Sequence, residues 1–273
     1  MSGAPSPVIL AADSGPTILA ADSGLGGLTI VAEIRKALPQ ARLAYLCDNA
    51  FFPYGTRPDA DLLAHFLDVM NRAIARIQPD LIVTACNTIS TICLPQLRAA
   101  TSIPVVGVVP AIKPAAQQSK RKIIGLLATP ATVNRPYTDD LIQRYAADCA
   151  VLRIGSAELV DMAEAKLLGK AVDRGRVRRI LAPFFDRPAE ARPDVVVLAC
   201  THFPLLRPEL QAAGPVDVAW IDSGTAVARR VVDVLPPCGA GIAADLALTS
   251  AAHMPALRQA LAQFGFETVE TLI

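Results

Sequence analysis

The chain has 273 residues, 26 Lys+Arg against 25 Asp+Glu, and a hydrophobic fraction of 52% with 5% aromatic content. A formal charge of +1 excludes the basic footprint of a nucleic-acid-binding protein, and the length admits one large domain or two ordinary ones. The charge-free stretch 81–97 carries Thr84, Asn87, Thr88, Ser90 and Pro95, too polar and interrupted to span a bilayer. No Lys or Arg precedes Arg35, so a secretory n-region is missing and the expectation is a soluble, cytoplasmic protein. The six cysteines include no Cys-x-x-Cys and do not read as a disulfide framework.

Along the chain, Ile9-Leu10-Ala11-Ala12-Asp13-Ser14-Gly15 recurs word for word as Ile18-Leu19-Ala20-Ala21-Asp22-Ser23-Gly24. Only the second copy continues into Gly26-Gly27 and a helical pattern, so residues 1–16 read as an extension and the second copy as the working one. Short apolar runs predict strands over 17–22, 42–47, 80–85, 104–108, 122–128, 149–154, 194–199 and 217–221, with a weaker tail strand near 266–270. Helical spacing predicts helices over 28–38, 59–77, 88–99, 130–147, 156–169, 173–186 and 223–234. Strands alternating with helices imply parallel sheets, with any site beyond the carboxyl ends of the strands. The expected fold is therefore α/β.

An internal similarity points to the chemistry. Pro79-Asp80-Leu81-Ile82-Val83-Thr84-Ala85-Cys86 matches Pro193-Asp194-Val195-Val196-Val197-Leu198-Ala199-Cys200. Polar pairs follow each, Asn87-Thr88 and Thr201-His202, and a helix with an early proline follows both, at Pro95 and Pro204. Asp22-Ser23-Gly24 is echoed by Asp222-Ser223-Gly224. Two related halves can bring Cys86 and Cys200 to opposite sides of one cleft. A thiol at a helix N-terminus ionises more readily, and two equal weak bases facing one carbon are what two-base racemisation needs. The bland reading stays open on the residues alone: two inert core cysteines after buried strands.

The ordered segments Asp22-Ser23-Gly24-Leu25-Gly26-Gly27-Leu28, Pro53-Tyr54-Gly55-Thr56, Ala85-Cys86-Asn87-Thr88, Cys200-Thr201-His202-Phe203-Pro204-Leu205-Leu206 and Ile221-Asp222-Ser223 resemble bacterial glutamate racemases of the aspartate/glutamate racemase superfamily. The resemblance covers about residues 17–235. It implies two related α/β domains, 17–108 plus 222–273 and 109–221, with mostly parallel sheets and the active site between them. It implies interconversion of L- and D-glutamate for peptidoglycan synthesis, with neither pyridoxal phosphate nor metal, in a homodimer. It gives Cys86 the D-enantiomer and Cys200 the L-enantiomer, with Asp22 assisting the first thiol and His202 the second. Asp22, Ser23, Tyr54, Gly55, Asn87, Thr88, Thr201 and His202 would bind the substrate, and Glu158 is a candidate further acid. The chain departs from the family pattern at Cys47-Asp48-Asn49-Ala50-Phe51-Phe52, where Gly-Asp is usual, and at Val108-Val109-Pro110-Ala111-Ile112-Lys113-Pro114, which lacks a glutamate.

Other residues read as ordinary. His65 shares a polar helix face with Asp61, Asp68 and Arg72 and reads as a solvated side chain, as does His253. Cys93 reads as core, and Cys47, Cys149 and Cys238 have no polar constellation beside them. The glycines at 24, 26 and 27 match neither a dinucleotide nor a P-loop fingerprint. Three competing functions remain: a relative acting on aspartate or hydantoins, a non-catalytic amino-acid binder, and a metal site built from Cys86, Cys200, His202 and Asp22.

Overall fold

The computed structural model describes residues 15–236, 244–252 and 255–272. The first copy of the duplicated segment up to Ser14, Cys238 and His253 lie outside the described residues. In chain order the elements are β1 (Thr17–Asp22), α1 (Leu28–Ala37), β2 (Arg42–Cys47), α2 (Asp59–Ile77), β3 (Leu81–Thr84), α3 (Asn87–Ala100) and β4 (Val105–Gly107). There follow α4 (Ile112–Gln118), β5 (Ile123–Ala128), α5 (Pro130–Val133), α6 (Pro136–Tyr145), β6 (Ala150–Gly155), α7 (Glu158–Leu167), α8 (Arg174–Phe185) and β7 (Val195–Ala199). The chain continues through α9 (Arg207–Ala213), β8 (Ala219–Ile221), α10 (Gly224–Val234), β9 (Leu246–Thr249), α11 (Pro255–Ala262) and β10 (Thr268–Thr271).

The strands form two parallel sheets, ordered β10-β9-β2-β1-β3-β4 and β6-β5-β7-β8. Both faces of the first sheet are covered, so its central strands are apolar throughout rather than alternating. Side chains still alternate in destination. Ile18 and Ala20 of β1 enter the core packed by α1 and α10, whereas Leu19 and Ala21 enter the core packed by α2 and α3. The second sheet separates its cores the same way: Leu127 and Leu198 face α7 and α8, while Leu126 and Val197 face α4.

Strand order reverses at β1, flanked by β2 and β3, and at β5, flanked by β6 and β7. At such switch points the outgoing chains separate and leave a crevice beyond the strand ends. Asp22 is the last residue of β1, Cys86 lies two residues past β3, and Thr129 and Cys200 directly follow β5 and β7. The two crevices face each other.

Five regions differ from the expected elements. The helix expected over 130–147 is two, because Pro136 has no N–H to continue α5; Arg135 before it is extended (φ −83, ψ 137) and Pro136 starts α6. The second cysteine is followed by a 3-10 turn at Phe203–Leu206 before α9, so the two halves differ where the chemistry is placed. Strand β9 and helices α4 and α11 were not among the expected elements.

Candidate active site

Cys86 and Cys200 border one cleft, together with Ser23, Pro53, Tyr54, Gly55, Thr56, Thr88, Thr129, Pro130, Ala157, Val160 and His202. Both cysteines are nearly buried and free. Cys86 is the N-cap of α3, in an extended conformation (φ −141, ψ 125) that ends β3 and turns the N–H groups of Thr88 and Ile89 toward its sulfur. Cys200 sits instead beside His202, whose Nδ1 is 3.8 Å from its Sγ. Cys86 belongs to the core under α2 and α3 and Cys200 to the core under α7 and α8, yet the two sulfurs share one opening.

Each thiol has an ionisable group behind it. Asp22 is fully buried; its Oδ1 accepts from the Ser23 N–H at 2.5 Å and the Ser23 hydroxyl at 3.2 Å, and its Oδ2 accepts from the Thr201 hydroxyl at 2.9 Å. The register of β1 on β3, continued by the Ala85 N–H donating to the Ala21 carbonyl at 2.7 Å, brings Asp22 beside the Ala85–Cys86 step. On the other side, His202 Nε2 lies 2.7 Å from Glu164 Oε1, which also accepts from the Leu25 N–H at 2.5 Å. The glycine loop after β1 makes this approach possible: a Cβ on Gly26 would stand 2.3 Å from His202 Nδ1, and one on Gly24 would stand 2.2 Å from Glu164 Oε1.

The electrostatics of the two sides differ. Burial pushes the Cys86 thiol well above its ordinary range and the Asp22 charge adds to this, while the N–H groups of Ile89 and Thr88 pull the other way. Burial also raises the Asp22 carboxyl, opposed by the His202 charge and by the Thr201 and Ser23 hydrogen bonds. Burial alone would lower His202, but its hydrogen bonds to Cys200 and Glu164 dominate and hold it well above the usual histidine value. The two sides thus shift for different reasons: burial dominates at Cys86, and hydrogen bonding outweighs burial at His202.

Of the residues named from the sequence, Cys86, Cys200, Ser23, Tyr54, Gly55, Thr88 and His202 line the cleft. Asn87 and Thr201 line a narrower cavity behind Cys200, together with Asp222 and Ser223. Asn87 Oδ1 is buried with no hydrogen-bond partner in the protein. The Tyr54 hydroxyl is given to Asp48 at 2.6 Å, which leaves its ring and backbone to face the cleft. Glu158 pairs with Arg176, and the carboxylate that reaches His202 is Glu164. Thr129 escaped the sequence reading; it caps α5, sits 3.3 Å from the Thr88 hydroxyl and backs Gly55. Its signal was present, a Thr-Pro step directly after a buried strand. Among the described residues no group of three or more His, Cys, Asp and Glu side chains is arranged to hold a metal ion.

Comparison with known proteins agrees with this geometry. The profile of the family described as Asp/Glu/Hydantoin racemase matches residues 28–231. A glutamate racemase of Shewanella loihica is 47% identical over 247 residues, spanning 90% of this chain and 91% of that protein. One from Salmonella typhimurium is 45% identical over 275 residues, spanning 98% and 93%. The crystal structure of Escherichia coli glutamate racemase, in complex with L-glutamate and the activator UDP-MurNAc-ala, superposes with a TM-score of 0.89 at 44% identity, covering 94% of this chain and 97% of that one. With two sulfurs in one cleft, two facing parallel sheets and relatives this similar over nearly its whole length, the chain belongs to the Asp/Glu/hydantoin racemase family.

Proposed function

We propose that the protein interconverts L- and D-glutamate by taking the Cα proton with one thiol and delivering a different proton from the opposite thiol, and so supplies D-glutamate for peptidoglycan. The observation that carries this reading is that Cys86 and Cys200 border the same cleft, each from the carboxyl end of a strand in a different sheet. A Cys200 thiolate beside cationic His202 takes the Cα proton of L-glutamate. The electron pair stays on Cα and its carboxylate, and the Cys86 thiol delivers its proton to the opposite face. After this step Cys200 is a thiol and Cys86 a thiolate, the state that takes the Cα proton of D-glutamate in the reverse direction; Asp22 can hold the Cys86 proton and return it between turnovers. Proton transfer by positioned groups contributes roughly 10²–10⁴-fold, and the remainder falls to donors aimed at the carboxylate. Ser23, Thr88 and Thr129 bring hydroxyls to the cleft wall, and Gly55 brings backbone without a side chain.

Racemisation in D₂O tests the reading. L-Glutamate should lose its optical rotation and gain deuterium at Cα; unchanged rotation without deuteration would overturn it, and turnover of aspartate or a hydantoin instead would move the assignment within the family. The resemblance further supports a homodimer in the cytoplasm, which light scattering on the purified protein and cell fractionation would check. Among the described residues, no helix is long and apolar enough to cross a membrane.

A further inference from the structure

The loop that forms one wall of the cleft is held by a chain of groups reaching away from the substrate. Tyr54 donates its hydroxyl to Asp48 Oδ2 at 2.6 Å, and His65 Nε2 lies 2.7 Å from the same oxygen. Asp48 is fully buried, and its Oδ1 has no hydrogen-bond partner among the described residues. The His65 ring stacks on Phe51, with centroids 4.1 Å apart and planes 16° from parallel. The Arg57 guanidinium covers the Phe51 ring at 4.6 Å and donates to the Phe51 and Phe52 carbonyls at 3.3 Å each. Residues 51–57, which include the cleft-lining Pro53, Tyr54, Gly55 and Thr56, are therefore tied to α2 by two kinds of contact: the Tyr54 ring meets Phe66 edge-on, with centroids 6.0 Å apart, and His65 supplies the polar link.

We propose that His65 is a positioning residue: by sharing the Asp48 carboxylate with Tyr54 and stacking on Phe51, it fixes the 51–57 loop in the conformation that receives substrate. A buried carboxylate needs donors to replace its lost water, and Tyr54 alone supplies one. Without His65 the carboxylate draws in water, Tyr54 loses its fixed acceptor, and Phe51 loses the surface it packs on. His65 lies outside the cleft, so its removal acts on how substrate is held and leaves the proton transfers in place. The inference rests on the racemase reading for its kinetic half only.

The test compares H65L, which fills the space without a donor, with H65Q, whose amide can still reach Asp48. Hydrogen exchange of a peptide covering 49–58 should rise in H65L and remain near wild type in H65Q. With glutamate as substrate, KM should rise about tenfold in H65L, the loss expected for a missing hydrogen bond to a charged group, with kcat within about twofold. Y54F breaks the other end of the same chain and should give the same exchange pattern, which keeps the test decisive if H65L does not fold. Unchanged exchange in H65L or in Y54F, or H65L and H65Q behaving alike, overturns the proposal. A shift in the thermal transition with KM unmoved also overturns it, because a purely structural role does only that. If the wild-type protein fails to racemise glutamate, the functional reading falls while the exchange arm still decides the role of His65.

Discussion

At the scale of single residues, the two thiols have different surroundings but the same task, and losing either should stop the exchange. Replacing either sulfur by a hydroxyl removes a group able to trade protons with Cα near neutral pH. C86S and C200S should therefore each lower racemisation by about 10²–10⁴-fold while D-glutamate binding, measured by calorimetry, is retained. The acid beside His202 gives a second expectation. Against the cost of burial, the Cys200 and Glu164 contacts hold the folded His202 pKa well above the ordinary histidine value of 6.5. That pairing stabilises the fold fully below 6.5 and fades as pH climbs through the higher folded value. E164Q should lower Tm by about 2–4 °C on the acid side, with the gap to wild type narrowing as pH rises; a gap that widens instead would contradict the assignment. The cysteine pair is legible from the repeated strand–Ala–Cys pattern, whereas Asp22 and His202 come from the family resemblance; the structure brings all four to one region, with Cys86, Cys200 and His202 on the cleft and Asp22 buried behind it. Glu164 was not legible: it stands six positions after Glu158 on α7, about 240° further around the helix. Spacing alone does not say which face of α7 meets the first sheet. His65 was misread for a related reason, since its polar helix face is covered by a loop that periodicity does not place.

At the scale of elements, the strands of both sheet centres could be read because burial on two faces makes them continuous apolar runs, bounded by Pro79 and Pro193. The missed elements are short or sit at sheet margins. Strand β9 has four residues after a segment rich in glycine and alanine, and α4 carries Pro114 in its first turn, a position where the ring is tolerated but where a sequence reading sees a breaker. What holds the chemistry in register is a polar contact inside the packing. Ser90 on α3 donates to the Thr84 carbonyl at 3.0 Å, lies 2.7 Å from the Thr84 hydroxyl, and accepts from the Val108 N–H at 3.1 Å. One hydroxyl thus ties β3, the start of α3 and the end of β4 together around Cys86. S90A would leave the buried Val108 N–H without its acceptor, at a cost of about 1–3 kcal/mol. Urea unfolding should show this as a lower midpoint with an unchanged slope, and the variant should lose activity less than it loses stability.

At the scale of the whole molecule, the two sheets meet through contacts of two kinds. Some belong to the site itself: Thr201 to Asp22, the Leu25 N–H to Glu164, and the Thr29 hydroxyl to the Thr201 carbonyl at 2.9 Å. Each pairs a residue from a strand end, loop or helix of one sheet's layer with one from the other's, so assembly of the cleft and alignment of Asp22, Thr201 and Glu164 are the same event. The other kind stands at the rim. Arg135, between α5 and α6, grips Asp59 at the start of α2 through two bonds of 2.6 and 3.1 Å. Asp59 follows the loop that lines one wall, and Arg135 follows Thr129 and Pro130 on the other, so this pair spans the mouth. Asp59 is 59% exposed, and an exposed ion pair contributes little to folding. Its fork geometry nevertheless fixes how far apart the walls stand, and substrate must find both walls at once to sit between the sulfurs. D59N should therefore shift unfolding free energy by less than about 1 kcal/mol and raise KM for both enantiomers by about threefold. Added salt should raise the wild-type KM toward that of D59N while barely moving the variant, because screening weakens the same exposed pair. Equal salt sensitivity in the two proteins would place control of the cleft width in the buried contacts alone.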